Sequence, residues 1–230
     1  MSKFIAVAID GPSGAGKSTF AKMVAKEFGF IYVDTGAIYR TLGLAVYRRG
    51  LNCKDEAAVM KVLKSIEIDI QYNEAGTQVM LLDGEDVSTQ IRLPEISVCA
   101  SDVSAHPAVR AALLDMQRAF SEKNSVVMDG RDIGTVVLPN AELKIFLTAS
   151  DETRAQRRLL ELQQKGIETN FEDVLKDIRY RDQQDSSRAA APLKKAEDAV
   201  EIDSSSMNLE QTFAVFKKLV EETLENKAGE

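Results

Sequence analysis

Residues Gly11–Ser18, "GPSGAGKS", have the types and the spacing of a loop that binds phosphate. They match G-x-x-x-x-G-K-[ST] at every fixed position, after an apolar run at 4–9 and before a stretch with helical spacing. Glycines let such a loop wrap an anion with its backbone N–H groups, and the helix N-terminus adds its positive dipole end. Lys17 can reach the β- and γ-phosphates of a nucleoside triphosphate, and the Ser18 hydroxyl can bind Mg²⁺.

The same stretch could be a glycine-rich turn with a surface lysine, but the flanking strand and helix favour phosphate binding. The sequence therefore predicts a site that binds a nucleoside triphosphate and handles its γ-phosphate. The loop does not identify the acceptor. A signalling GTPase would need an Asn-Lys-x-Asp element, whereas Asn226–Lys227 is followed by Ala228 and Gly229. A small anionic acceptor would need a second cluster of cations.

Arginines in the second half of the chain are the candidates for that cluster. Arg131 lies in "VVMDGRDIGTVV", residues 126–137, where an apolar strand runs into a charged turn. The others lie at helical spacing or around a polar segment: Arg154, Arg157, Arg158, Arg179, Arg181 and Arg188. One guanidinium group can bind two phosphate oxygens at once. We therefore expect these arginines to form a lid that supplies positive charge to a phosphoryl group during its transfer. The alternative is a solvated helix face on which the arginines form ion pairs with Glu152 and Glu161. Such surface ion pairs would contribute little to the stability of the fold.

The turn "DTGAIYR", residues 34–40, follows the second predicted strand. Thr35, Tyr39 and Arg40 would therefore reach the same sheet edge as the phosphate loop, where ligands bind in open α/β sheets. Alternatively, Ile38 and Tyr39 belong only to the first turn of a packed helix.

Composition excludes several classes of protein. The chain has 230 residues, is 44% hydrophobic and 28% charged, and carries a formal net charge of −7, which argues against a protein that coats nucleic acid. Cys53 and Cys99 form no Cys-x-x-Cys motif, and His106 is the only histidine, so a disulfide framework and a histidine-rich metal site are excluded. With no apolar run long enough for a signal or a membrane span, we expect a cytoplasmic protein without membrane contact.

Apolar periodicity predicts strands alternating with helices, and hence an α/β fold with a mainly parallel sheet. Strands are expected at 4–9, 30–34, 125–129, 143–149 and 199–205. Helices are expected after the phosphate loop, at 55–65, at 107–120, from about 151 to 165 with Gly166 as C-cap, around 171–178 and at the C-terminus. A hairpin at 66–72 and 77–82 lies in an antiparallel insert, about 66–93. The polar segment 183–198 is predicted to be a mobile loop.

Several motifs together resemble the bacterial cytidylate kinase family. They are "IDGPSGAGKS", "DTGAIYR", "DGEDVS", "VMDGRDIGTVV", "KIFLTAS", "RRLLELQQKG" and "RDQQDSSRAAAPL". The resemblance spans nearly the whole chain and implies a P-loop NTPase-type three-layer fold with a parallel central sheet, a small antiparallel insert and a helical lid. It implies that ATP phosphorylates CMP and dCMP, with Mg²⁺ as cofactor, in pyrimidine nucleotide metabolism.

The resemblance also implies roles for individual residues. Ser101, Arg110 and Asp132 would read cytosine, and Arg181 and Asp185 would hold the sugar. Arg40, Arg131 and Arg188 would grip the CMP phosphate, with Thr35 and Tyr39 lining the site. The expected ATP-binding residues are Gly11, Pro12, Ser13, Gly14, Ala15, Gly16, Lys17, Ser18, Thr19 and Arg157. The expected catalytic residues are Lys17, Arg131 and Arg188, with Ser18 on Mg²⁺ and Asp129 either holding Mg²⁺ through water or orienting Arg131.

The hydrogen-bonding groups of cytosine support the roles implied for the residues that would bind it. Its N4 amino group is a donor that the Asp132 carboxylate can accept, whereas uracil has a carbonyl at that position. An unpaired buried polar group costs roughly 1–3 kcal/mol, which is about tenfold to a hundredfold in discrimination. Arg131 and Asp132 are adjacent and would point opposite ways in a strand, so both can serve one ligand only if Gly130 lets the chain turn.

We expect a single kinase unit over 1–230 that acts as a monomer on ATP and CMP or dCMP. Its predicted parts are the P-loop and core (1–34), the monophosphate-binding region (35–105), further core (106–150), the lid region (151–198) and core with the C-terminal helix (199–230). Two rivals remain open: a P-loop kinase for adenylate, shikimate or a coenzyme precursor, and a P-loop switch or ATPase whose arginines bind a partner.

Overall fold

The computed structural model describes residues 4–164 and 166–229. The strands are β1 Ala6–Asp10, β2 Ile31–Asp34, β3 Ile68–Tyr72, β4 Gln78–Leu82, β5 Glu85–Asp86, β6 Val126–Gly130, β7 Leu143–Thr148 and β8 Val200–Asp203. The helices are α1 Lys17–Phe28, α2 Thr35–Arg48, α3 Glu56–Leu63, α4 Pro94–Ser104, α5 Pro107–Lys123, α6 Asp151–Gln164, α7 Phe171–Ser187 and α8 Leu209–Ala228. A 3₁₀ turn spans Gln90–Arg92 and a π-helical turn spans Ile133–Val137.

A five-stranded parallel sheet in the order β2-β6-β1-β7-β8 forms the centre of the molecule. Alternate side chains of each strand serve opposite faces, as the twofold period of a strand requires. Val7 and Val127 pack with α1 and α8, where Phe20 and Phe216 stack with their ring centroids 5.0 Å apart. The opposite face carries Ala8, Val126 and Met128, and Leu114 and Phe120 of α5 pack against it. The predicted three-layer α/β fold is confirmed, and all five predicted sheet strands are present.

Strand register brings several polar residues to one edge of the sheet. Asp10 at the end of β1 pairs with Gly130, and Asp34 at the end of β2 pairs with Asp129. Parallel strands share their carboxyl ends, so the phosphate loop after β1 lies beside the turns that follow β2 and β6.

The predicted hairpin is confirmed, and it belongs to a separate three-stranded antiparallel sheet in the order β3-β4-β5. Met80 and Leu82 of β4 are buried in a core that also contains Leu42 and Val46 of α2. The insert therefore has its own apolar attachment to α2. Residues 35–40 of "DTGAIYR", which the sequence predicted as a turn, are the start of this helix.

Helix α4 has no clear apolar stripe in the sequence, and its packing explains why it forms. It lies so close to α2 that a Cβ at Gly43 would be 3.1 Å from the backbone nitrogen of Ala100. Ile96 and Val103 of this helix are fully buried. Small residues on both helices permit this approach, and the periodicity of one helix cannot reveal it.

The predicted lid region contains α6 and α7, which share a small apolar core that includes Ala155, Leu162 and Ile178. The predicted end of the first lid helix at residue 165 lies outside the described residues, and Gly166 has the left-handed φ of +72° that suits a C-cap.

The prediction of a loop over 183–198 is wrong for residues 183–187, which complete α7. Asp185 in this last turn is buried, and its carbonyl oxygen accepts a hydrogen bond of 2.8 Å from the backbone of Leu193. Tertiary contacts to the Asp185 carboxylate stabilise a turn whose small, polar sequence favours a loop.

Within the described residues, no helix is both long enough and apolar enough to cross a membrane.

Gly11 is expected to be irreplaceable for packing. A Cβ there would lie 2.0 Å from the carbonyl oxygen of Leu147 in β7, at a φ of +148°. We predict that Gly11→Ala lowers the free energy of unfolding by about 3 kcal/mol through overpacking and backbone strain. Gly50→Ala is the matched control, because its φ is +65° but no atom lies within 4 Å, and it should cost about 1 kcal/mol. Chemical denaturation without ligand measures both, and equal losses would contradict the packing argument.

Candidate active site

Two adjoining cavities lie at the carboxyl edge of the central sheet. The larger is an open cleft of about 780 Å³ that the phosphate loop borders through Gly14, Lys17 and Ser18. The smaller, of about 90 Å³, lies between α2, α4, α5 and the end of β6. Their walls share Gly36, Arg40, Ser97, Gly130, Arg131 and Arg181. Three arginines therefore stand where the two cavities meet.

The phosphate loop has the geometry that its sequence predicts. Gly14 and Gly16 have φ of +76° and +95°, which side-chain-bearing residues rarely adopt. No side chain caps the start of α1, so its first N–H groups can bind an anion. Of the predicted ATP-binding residues, seven line the larger cleft: Ser13, Gly14, Gly16, Lys17, Ser18, Thr19 and Arg157. Gly11, Pro12 and Ala15 of the same loop are buried instead.

Lys17 is buried, and its ammonium donates to the carbonyl oxygen of Pro12 at 2.8 Å. Burial and the neighbouring Arg131 lower the pKa of Lys17 to about 7, although Asp129 and Asp185 oppose this shift. A bound polyphosphate would add negative charge and favour the ammonium form.

Asp129, at the end of β6, faces the phosphate loop. Its carboxylate accepts hydrogen bonds from the Ser18 hydroxyl at 2.9 Å and from the Tyr32 hydroxyl at 2.8 Å. Burial, followed by the nearby Asp34, raises the pKa of Asp129. Arg131 instead donates to Asp185, so the geometry favours the first of the two roles predicted for Asp129, at the metal.

These oxygen atoms fit Mg²⁺. The described residues contain no cluster of three or more acidic, histidine or cysteine side chains that could hold a metal alone. Mg²⁺ at nucleotide sites commonly uses one or two protein oxygens and takes its other ligands from phosphates and water. Ser18 Oγ and Asp129 Oδ2, which are 2.9 Å apart beside Lys17, provide such a pair.

The smaller cavity brings together all ten residues expected to bind the monophosphate. They are Thr35, Tyr39, Arg40, Ser101, Arg110, Arg131, Asp132, Arg181, Asp185 and Arg188. These residues come from α2, α4, α5, α7 and the segments that follow β6 and α7. Tyr39 is buried in the core and also lines the cavity, so the two readings of this residue are compatible.

Buried ion pairs hold the charged side chains of this cavity. Arg110 donates to Asp132, and its guanidinium lies 5.2 Å from the centroid of the Tyr39 ring. Asp185 accepts from Arg131 at 2.6 Å and also from Arg188. Although burial opposes ionisation, Arg131 and Arg188 lower the pKa of Asp185, so it remains a carboxylate.

Three buried side-chain atoms have no hydrogen-bond partner in the part of the chain that the structure describes. They are Nε of Arg40, Oγ of Ser101 and Nε of Arg188, and all three residues line the smaller cavity. Because an unpaired buried polar group is costly, such a cluster indicates a polar ligand. Two of the atoms are cationic donors, which suits an anionic group.

Asp10 and the π-helical turn place Arg131 and Asp132 on the same cavity. The buried Asp10 carboxylate accepts from the backbone N–H groups of Ile133 and Gly134, at 2.8 and 2.7 Å. Burial raises the pKa of Asp10 to about 6, although these two bonds oppose the shift. The backbone turns at Asp132, whose φ and ψ are −145° and 25°.

Gly130 is required for close packing rather than for the turn. A Cβ there would lie 2.6 Å from Cδ1 of Ile133 and 3.0 Å from Oγ1 of Thr35, whereas its φ is outside the left-handed region. The expectation that Gly130 provides the turn is therefore wrong.

Not every lid arginine faces the cleft. Arg154 is buried and donates to the carbonyl oxygens of Ala149 and Ser13, both at 2.9 Å, and it also pairs with Asp151 and Asp182. It supports the phosphate loop from below. The prediction that Arg154 belongs to the second cluster of cations is wrong, because helical spacing does not show which face of a helix is buried.

The other lid arginines divide between the two expectations. Arg179 forms exposed ion pairs with Asp151 and Glu152, which is the solvated-face alternative. Arg158 pairs with Glu161 but also lines the larger cleft. Arg157 lines that cleft and donates to the carbonyl oxygen of Ser204 at 2.7 Å.

Sequence reasoning missed Asp34, Asp10 and Arg92 as parts of this site. Asp34 accepts from Arg40 at 2.7 Å and from Arg92 at 2.9 Å, and Arg92 lines the larger cleft. Each acid directly ends a predicted strand, and a polar residue at that position was the available signal.

Comparisons with known proteins agree with this geometry. The family model for cytidylate kinase matches residues 7–223. The chain belongs to the cytidylate kinase family. A cytidylate kinase from Caldicellulosiruptor bescii is 48% identical over 225 residues, covering 98% of this chain and 99% of that protein. One from Bacillus cytotoxicus is 47% identical over 225 residues, covering 98% and 100%. The family predicted from the motifs is confirmed.

One solved structure shares the fold at low sequence identity. The crystal structure of an uncharacterized protein from Eubacterium ventriosum has a TM-score of 0.52 at 14% identity, over 96% of this chain and 99% of that chain. At this identity the similarity concerns the fold alone.

Arg154 and Arg179 offer a matched test of buried and exposed lid arginines, because both contact Asp151. We predict that Arg154→Ala lowers the free energy of unfolding by about 3–5 kcal/mol, since it leaves Asp182 and the Ser13 carbonyl without their buried partner. Arg179→Ala should cost less than about 1 kcal/mol, because its ion pairs are exposed. Denaturant titration measures both variants. A loss below 1 kcal/mol for Arg154→Ala would show that it does not support the loop.

Proposed function

We propose that this protein transfers the γ-phosphoryl group of ATP to CMP and dCMP, forming ADP with CDP or dCDP. Membership of the cytidylate kinase family makes the chain a nucleoside monophosphate kinase. The observation that carries the proposal is the junction of two cavities, one bordered by the phosphate loop and the other by unpaired buried donors. The larger cleft would take ATP and the smaller one the nucleoside monophosphate.

The junction suits phosphoryl transfer between two anions. Arg40, Arg131 and Arg181 line both cavities, so their charge would lie beside the group in transit. Burial, with Arg131 as the next cause, lowers the pKa of Arg181 to about 10, which leaves its guanidinium charged at neutral pH. An acceptor phosphate oxygen would attack the γ-phosphorus while the bond to the bridging oxygen of ADP breaks. The acceptor is already an anion, so catalysis requires positioning and charge stabilisation but no general base.

Cytosine recognition is proposed for the Arg110–Asp132 pair and Ser101. In the described structure Arg110 takes Oδ2 of Asp132, which leaves Oδ1 for the N4 amino group of cytosine. Ser101 Oγ and Arg110 would donate to the acceptors O2 and N3. Arg188 and Arg40, with unpaired Nε atoms, would bind the monophosphate.

Mg²⁺, bound by Ser18 and Asp129, would neutralise charge on the phosphates of ATP. Lys17 would hold the same phosphates by direct donation. All the residues assigned to both cavities belong to one chain, which supports a monomer as the active form.

The two rival functions make different demands on the smaller cavity. A switch or an ATPase needs no second anion site, so it would leave the unpaired donors of Arg40 and Arg188 unexplained. Another P-loop kinase could use these donors for a different acid. The acidic group of Asp132 beside them favours an acceptor with an amino donor, which CMP has and UMP lacks.

A panel of acceptors tests the proposal. With ATP and Mg²⁺, we expect rapid ADP formation with CMP and dCMP, turnover of UMP at least tenfold slower, and little hydrolysis without an acceptor. Asp132→Asn should reduce the ratio of CMP to UMP turnover by about tenfold to a hundredfold, because the amide can donate to the uracil carbonyl. The KM for ATP should not change. Coupled assays of ADP give all these values.

Three outcomes would contradict the assignment. Equal use of CMP and UMP by the unmodified protein would remove the specificity, and hydrolysis that ignores every acceptor would favour an ATPase. A large rise in the KM for ATP in Asp132→Asn would place Asp132 at the wrong nucleotide.

The lowered pKa of Lys17 predicts that the protein takes up a proton when it binds ATP. Its pKa of about 7 in the free site leaves the amine mostly neutral at pH 8. The polyphosphate should restore the ammonium form, so about one proton is taken up at pH 8 and much less at pH 6, where Lys17 is already charged. Calorimetry in buffers of different ionisation enthalpy measures the uptake. Lys17→Arg is the control, because arginine stays protonated and should show none. Zero uptake or proton release at pH 8 in the unmodified protein would refute the shift.

A further inference from the structure

Hydrogen bonds join the antiparallel insert to Asp34 at the edge of the active site. Asp34 ends β2, which is the edge strand of the central sheet next to β6. Two hydrogen bonds join it to Gln78 of β4: its N–H donates to Gln78 Oε1 at 2.7 Å, and Gln78 Nε2 donates to its carbonyl oxygen at 3.3 Å. Nearby, the Tyr72 hydroxyl of β3 donates to the carbonyl oxygen of Tyr32 at 3.0 Å. The insert thus fixes the backbone of β2 at the site edge.

The Asp34 side chain joins the insert to the acceptor cavity. Its Oδ1 caps α2 by accepting from the Ala37 N–H at 2.9 Å. Its Oδ2 accepts from two guanidiniums, those of Arg40 on α2 at 2.7 Å and of Arg92 at 2.9 Å. Arg92 lies in the 3₁₀ turn that returns from the insert to the body of the protein. One buried carboxylate oxygen therefore accepts hydrogen bonds from both Arg40 of the acceptor cavity and Arg92 of the insert.

The Asp34 carboxylate is shared by two guanidinium groups. Burial opposes its ionisation, but Arg40 and Arg92 lower its pKa, and Asp129 is a second acid whose charge acts on both arginines. The Asp34 side chain is 5% exposed and that of Arg92 is 46% exposed. A lone buried carboxylate would be costly, and Arg40 alone would have to compensate it. Because Arg92 also compensates the charge of Asp34, part of the positive charge of Arg40 remains available to bind an anion.

The geometry of Arg40 agrees with this division. Its Nη2 is used by Asp34, whereas its Nε is buried and without a partner among the described residues. Gly36 leaves room for the guanidinium, since a Cβ there would lie 3.0 Å from Nη1. Arg40 is therefore held by Asp34 at Nη2, its side chain lines the acceptor cavity, and its Nε has no partner among the described residues.

We propose that Arg92 is a positioning residue of the acceptor site, which acts through Asp34 to hold Arg40 ready for the acceptor phosphate. Gln78 assists by fixing the backbone of Asp34. This gives the insert a function in the reaction: it supplies the second cation and the backbone clamp that Asp34 needs. The inference rests on the proposed function, because it takes a nucleoside monophosphate as the ligand of Arg40.

Steady-state kinetics and CMP-binding calorimetry test the role of Arg92. Arg92→Ala should raise the KM and the Kd for CMP about tenfold, while kcat changes less than about threefold. Arg92→Lys should restore most of the affinity, because it keeps a cation beside Asp34. Arg48→Ala is the matched control. Arg48 also contacts the insert, through Glu85 at 2.7 Å and Gln90, but not Asp34, so CMP binding should stay unchanged.

A double-mutant cycle tests whether Arg92 acts through Asp34. Asp34→Asn keeps a residue that can cap α2 and removes the shared charge. In that background, Arg92→Ala should add less than about twofold to the Kd for CMP. Additive effects would mean that Arg92 contacts CMP directly and would overturn the positioning role.

The other outcomes are equally distinct. If the unmodified protein binds CMP and Arg92→Ala binds it equally well, the inference fails and the proposed function stands. If the unmodified protein does not bind CMP at all, the proposed function itself fails. Equal losses in Arg48→Ala and Arg92→Ala would reduce the effect to general attachment of the insert.

Discussion

Mutual repulsion among cations is the constraint on which the rest of this site depends. Lys17, Arg40, Arg131 and Arg181 all line the larger cleft before any substrate balances their charge. The cost is visible in Lys17 and Arg181, since burial and then Arg131 lower the pKa of both groups. Buried carboxylates make the arrangement stable. They hold each cation in a fixed place and leave a net positive charge for phosphates.

Each of these carboxylates is placed by a different part of the fold. Asp34 and Asp129 end neighbouring strands and are paired in register. Asp132 lies in the turn that Asp10 holds through two backbone hydrogen bonds, and Asp185 belongs to the lid. The central sheet, the acceptor region and the lid therefore contribute one or more acids to a common task. Arg131, the arginine of the charged turn after β6, is held by Asp185 of α7, so the position of α7 would affect the proposed acceptor site.

The sequence predicted the sheet strands because buried parallel strands are continuous apolar runs, and the phosphate loop because its glycines leave a recognisable spacing. It did not predict the end of α7. Residues 183–187 read as a loop by composition, but Asp185 is stabilised as helix by Arg131, which is 54 residues away in the chain. Likewise, Arg154 and Arg179 have similar local sequence surroundings, and only packing shows that one supports the phosphate loop while the other is in solvent.

The sequence by itself determined the phosphate loop, because that loop depends on residue types at fixed spacing. Its motifs also indicated the family, and the resemblance implied which residues gather around the smaller cavity. Only the tertiary structure decided how the charges are paired. The partners Asp34 and Arg92, Arg110 and Asp132, and Arg131 and Asp185 are separated by 58, 22 and 54 residues. Electrostatic interaction depends on distance and burial rather than on chain order, so no local pattern could show which acid balances which arginine.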